Sequence, residues 1–178
     1  MGSRKSLALA LGVAASVMTA PARAEVVDVA DNGFAVKDTV TVAADASKAW
    51  AALVDVGKWW DPEHSYSGDG ANITLDPKPG GCWCEKLPGG GVQHMTVVFA
   101  DPGKLLRVHG GLGPLQGMAV SGVLTFTLKP AEKGTAVELT YVVGGYSRSG
   151  FKDLAPGVDA VLGAQLSRYQ RFVNGGKP

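Results

Sequence analysis

Cysteine, histidine and charge are all scarce in this chain, and each scarcity closes off a class of function. The 178 residues include two cysteines, Cys82 and Cys84, and three histidines, His64, His94 and His109. Two cysteines are too few for a disulfide-built scaffold, and no His-Glu-x-x-His helix occurs. Charged residues make up 19% of the chain and the formal net charge is +1, so nothing draws it electrostatically to nucleic acid. There is no Gly-x-Ser-x-Gly elbow and no phosphate-binding glycine loop ahead of a Lys-Ser or Lys-Thr pair. Repeats, charged tails and low-complexity linkers are missing too, which argues against a second domain. Beyond residue 24 no apolar stretch approaches the about 20 residues that a membrane-spanning helix needs.

What is present begins with a leader. Arg4 and Lys5 precede an apolar run from Leu7 to Val17, and the segment closes on Ala22-Arg23-Ala24, with small residues at the two positions a signal peptidase reads. A retained anchor is the competing reading, but the run is short for a span and Pro21 ends it. The expectation is a signal peptide over residues 1–24, cleaved after Ala24, and a single periplasmic or secreted domain over residues 25–178 with no membrane anchor. Losing three bases and no acid moves the formal charge from +1 to −2.

Residues Phe34 to Ala43 alternate apolar and polar and predict a strand with one buried face. Asp45 or Ser47 then caps a short helix that carries Trp50, Leu53 and Val54. An irregular aromatic and acidic loop follows from Trp59 to Gly70. Six further strands are predicted at 72–75, 81–86, 92–99, 105–110, 120–129 and 135–143, and their short glycine- and proline-rich connections imply antiparallel hairpins. From Pro156 to Val173, Val158, Val161, Leu162, Gln165, Leu166, Tyr169, Phe172 and Val173 recur at three- and four-residue spacing, the stripe of an amphipathic helix. The fold class is therefore α+β, with about seven antiparallel strands covered by a long C-terminal helix.

Four passages carry a further likeness: Ala49-Trp50-Ala51-Ala52-Leu53-Val54-Asp55 with Trp59-Trp60, Pro79-Gly80-Gly81-Cys82-Trp83-Cys84-Glu85, Asp101-Pro102-Gly103-Lys104-Leu105-Leu106-Arg107, and Gly134-Thr135-Ala136-Val137-Glu138-Leu139-Thr140-Tyr141. With the element order, they make residues 34–173 resemble the helix-grip fold of the SRPBCC or START-like superfamily, in its polyketide cyclase-like and lipid-transport branch. The resemblance implies a sheet curled around the terminal helix and a cavity between them for a small hydrophobic or aromatic molecule. It carries over no catalytic residue, and no cofactor is called for.

Candidate cavity residues are Trp60, Tyr66, Trp83, Met95, Phe126, Tyr141, Leu162, Gln165 and Tyr169, with Leu124 and Tyr146 beside them. They have the apolar make-up of a ligand pocket, and equally that of an ordinary core. Gly163 is expected to face open space beneath the helix. If Lys86 stands opposite Val92, then Cys84 faces His94 and Cys82 faces Thr96. Two thiols and an imidazole could then hold a borderline metal, with His64 or Glu85 as a further ligand. Buried inert thiols and a disulfide between near neighbours are the alternatives. His109 and Arg107 share a strand face and could meet a carboxylate at one end of the cavity. An enzyme on this scaffold would take its acid or base from His94, His109, Glu85 or a tyrosine.

Overall fold

The computed structural model describes residues 25–178, so the expected leader lies outside the described residues. The chain begins with a hairpin, β1 (Glu25–Ala30) and β2 (Gly33–Val42), and continues into helix α1 (Ala46–Val54), which Asp45 caps by accepting a hydrogen bond from the Lys48 amide at 2.9 Å. Three short 3-10 turns then lead to β3 (Ile73–Leu75), β4 (Cys82–Leu87), β5 (Gly90–Asp101), β6 (Leu105–Gly110), β7 (Ala119–Ala131), β8 (Gly134–Tyr146) and the terminal helix α2 (Ala155–Val173). Every neighbouring pair of strands is antiparallel, in the order β1-β2-β8-β7-β6-β5-β4-β3.

The sheet thus has eight strands, one more than the sequence pattern predicts. The extra strand is β1, an edge strand with five of six residues exposed, so it lacks the buried face that produces a legible alternation. The other strands and both helices fall where expected. Alternation in β7 and β8 sends Leu124, Phe126, Leu128, Val137, Leu139 and Tyr141 inward, where all are buried. Helix α2 covers that face with Leu162, Leu166 and Tyr169. Its C-terminal half is tied to β2 and the residue after it: Gln170 Nε2 donates to the Thr41 carbonyl at 2.8 Å, and the Ala43 amide donates to Asn174 Oδ1 at 2.8 Å. Among the described residues no helix is long and apolar enough to cross a membrane.

The β4–β5 hairpin departs from the predicted register. Cys82 does stand opposite Thr96, but Cys84 stands opposite Gln93 and Lys86 opposite Gly91, because a bulge interrupts the ladder between Trp83 and Cys84. His94 is the extra residue on β5. A bulge breaks strict alternation, so His94 and Met95 both turn inward and are buried.

Candidate functional site

Aromatic packing decides where empty space remains. Trp59 and Tyr169 meet edge to face with ring centres 5.5 Å apart, and Trp60 meets Trp83 at 5.2 Å and 85°. The indoles are anchored as well: Trp59 Nε1 donates to the Ala52 carbonyl and Trp60 Nε1 to the His64 carbonyl, each at 3.0 Å. Trp59 thus packs on Tyr169 in the C-terminal half of α2, and Trp60 borders the space that remains beneath α2. Under its N-terminal half lies a cavity of 610 Å³, within the about 300–1,000 Å³ common for ligand pockets.

Three walls bound it. The first is the loop from Trp60 to Tyr66, the second is Leu112 to Leu115 entering a 3-10 turn (Gly113–Gly117), and the third is the start of α2 with its approach, from Asp153 and Leu154 through Gly157 and Val158 to Val161 and Leu162. The lining is largely apolar, with Glu63, His64, Tyr66 and Asp153 as its titratable members. Gly157 faces open space, since a methyl group there would meet no atom within 4 Å.

Hydrogen bonds hold the first two walls in place. Burial alone would raise Glu85, but Ser67, the Tyr66 amide and His94 outweigh that effect by hydrogen bonding and hold its carboxyl below the usual range. The Tyr66 amide donates at 3.1 Å, the Ser67 amide donates to the other oxygen, and His94 Nε2 lies 2.9 Å away. Glu85 and His94 therefore clasp the first wall to the sheet. The Tyr66 hydroxyl reaches across to the Gly113 carbonyl at 3.1 Å and joins the first wall to the second. The second wall begins at Leu112, whose amide donates to the Tyr141 hydroxyl at 3.3 Å, while that hydroxyl donates to the Gly110 carbonyl at 3.0 Å. Gly122 permits this, because a side chain there would collide with the Tyr141 ring. Burial pushes the Tyr141 phenol up to about 12, so it stays a neutral donor.

Of the nine candidate ligand residues, Trp60, Tyr66 and Leu162 line the cavity. Trp83, Met95, Phe126, Tyr141 and Tyr169 are packed into the core instead, as is Leu124, because the sheet and α2 close upon them. Gln165 is buried and accepts from the Asp61 amide at 2.9 Å, and its Nε2 has no partner among the described residues. Tyr146 is 70% exposed. Gly163 is buried in α2 but is not part of the lining.

The converging thiols and imidazole are corrected by the bulge. Cys82 and Cys84 form a disulfide on the outer face of β4, whereas His94 lies inside against Glu85. Among the described residues no three histidine, cysteine or acidic side chains converge as a metal site. His109 and Arg107 also point outward, His109 to Ser121 at 3.0 Å and Arg107 to Thr125 at 3.1 Å, so neither reaches the cavity. Sequence reasoning missed the second wall and the Glu85 clasp. The one available sign of the clasp was a glutamate at an inward-facing position of β4, beside Trp83 by two.

Comparison with known proteins agrees with this architecture. The family model for polyketide cyclase / dehydrase and lipid transport proteins matches residues 33–173. No curated protein matches the sequence. Solved structures of similar fold include a Mesorhizobium loti protein, 15% identical over 81% of this chain and 99% of that one, with a TM-score of 0.59. Another is the Aha1 dimer from Colwellia psychrerythraea, at 18% identity over 81% of this chain and 98% of that one, with a TM-score of 0.54. CalU16 from Micromonospora echinospora is 14% identical over 82% and 78%, with a TM-score of 0.55. At such identities the structural likeness speaks for the fold, and the sequence match over residues 33–173 makes the chain a member of the polyketide cyclase / dehydrase and lipid transport family, within the SRPBCC/START-like superfamily.

Proposed function

We propose that this protein binds a small hydrophobic or aromatic molecule in the cavity between the Trp60–Tyr66 loop, the Leu112–Leu115 segment and the first turns of α2. The observation that carries the reading is an apolar space of 610 Å³ whose first wall is tied to the sheet through Glu85 and to the second wall through the Tyr66 hydroxyl. A preformed apolar site loses little in reorganisation when a ligand enters. Binding is favoured over acid–base catalysis because the buried titratable groups near the walls are already occupied. Glu85 accepts from the loop amides and His94, and the Tyr141 hydroxyl is committed to Gly110 and Leu112.

The protein works, on this reading, after export and removal of residues 1–24. The charged start, the apolar run and Ala22-Arg23-Ala24 support it, and so does the Cys82–Cys84 disulfide, since such bonds persist in oxidising compartments. Native mass spectrometry of the protein purified from its own cells tests both parts. The expected spectrum has a polypeptide that starts at Glu25 and carries a noncovalent small apolar mass. A chain beginning at Met1 would remove the export reading, and a bare polypeptide after gentle isolation would count against a resident ligand.

A further inference from the structure

The two cysteines lie on the face of β4 turned away from the cavity, yet they are covalently coupled to the residue that holds its first wall. Their disulfide spans one intervening residue and keeps the two Cα atoms 5.3 Å apart. Two steps along an extended strand advance about 6.6 Å, so β4 is roughly 1 Å shorter at this point than an extended strand would be. Glu85 follows immediately. Its carboxylate accepts from Tyr66, Ser67 and His94, and hydrogen bonds of this kind weaken within a few tenths of an ångström of misplacement. Directly opposite, β5 takes three steps from Gln93 to Thr96 where β4 takes two, and the extra residue is His94. The disulfide, the bulge and both members of the clasp thus occupy one irregular stretch of the hairpin.

We propose that Cys82–Cys84 is a redox latch: an external dithiol opens it, β4 lengthens, and the hold of Glu85 on Tyr66 and Ser67 loosens. Access is available, because both cysteines are only half-buried and Cys84 borders an outer hollow formed with Ala71, Thr74 and Gln93. The chain has no other cysteine, so exchange within it is excluded and the reductant must come from outside. In the first step a thiolate of the dithiol attacks one sulfur, breaks the S–S bond and leaves a mixed disulfide beside a free cysteine thiolate. The reductant's second thiol then displaces the remaining cysteine and closes its own disulfide. The protein gains two electrons and two protons, and the dithiol loses them.

Amide hydrogen exchange read by mass spectrometry tests the latch independently of any ligand. Three samples of the same domain are compared: the oxidised protein, the protein treated with dithiothreitol, and the double variant Cys82→Ser with Cys84→Ser. Loop peptides spanning Tyr66 and Ser67 should exchange about tenfold faster in the second and third samples, while α2, β7 and β8 keep their protection. If the double variant does not fold, the reduced natural protein still gives the comparison. Equal protection of the loop in oxidised and reduced protein would overturn the proposal, as would a disulfide that dithiothreitol opens only after unfolding.

Discussion

Asp38 occupies an inward-facing position on β2 between Val36 and Val40, opposite Leu139, where an aliphatic side chain would be expected. It is 1% exposed, neither carboxyl oxygen has a hydrogen-bond partner among the described residues, and its pKa is raised to about 6, first by burial and then by the nearby charge of Asp159 on α2. Burial likewise raises Asp159, which also feels Glu25 on β1. The sign follows from linkage. With the folded value above the ordinary 3.8, stability is greatest below 3.8 and declines as pH rises through about 6, by roughly 3 kcal/mol in all. Asp38→Asn should abolish that decline and be the more stable protein above the window by about 2–3 kcal/mol. Urea melts of both proteins on either side of the window check it, and parallel pH dependence would show that Asp38 is not the source. Glu85 is the opposite case, a buried carboxylate fully used by hydrogen bonds and therefore easier to ionise.

Elements differ in how far the sequence betrays them. Leu124, Phe126 and Leu128 alternate because β7 has a core on one side and water on the other, and α2 shows its stripe for the same reason. β1 was not legible, since an edge strand exposed on nearly every residue leaves no such pattern. The bulge at His94 was hidden too: Gly89, Gly90 and Gly91 allow several hairpin closures, and the choice is made by what Trp83 and Met95 gain on being buried. For the site, the sequence identified large apolar side chains but not which of them line a space, because the mutual packing of Trp59, Trp60, Trp83 and Tyr169 decides that. The role of α2 as cover is open to test. Leu162, Leu166 and Tyr169 are at most 2% exposed, and burying three such side chains contributes about 5–9 kcal/mol, comparable with the about 5–15 kcal/mol of a whole domain. A chain ending at Leu154 should lose its cooperative thermal transition in circular dichroism or calorimetry. A sharp melt in that truncated protein would mean the sheet is stable without α2.

At the scale of the whole molecule, one end of α2 sits on a dense aromatic layer and the other end spans open space. That asymmetry makes Gly157 informative, because it lies on the lining with room around it and is in the first turn of the helix. Leucine there should fill part of the cavity while improving helix propensity by up to about 1 kcal/mol, so a loss of binding could not be blamed on unfolding. Fluorescence titration of the natural domain and of Gly157→Leu with N-phenyl-1-naphthylamine, an apolar probe, is the most direct measurement. The expected result is saturable one-to-one uptake by the natural domain and an affinity about tenfold or more weaker in Gly157→Leu, whose melting temperature is unchanged or higher. Equal affinity in the two proteins, or no saturable uptake by either, would contradict a ligand site beneath the start of α2.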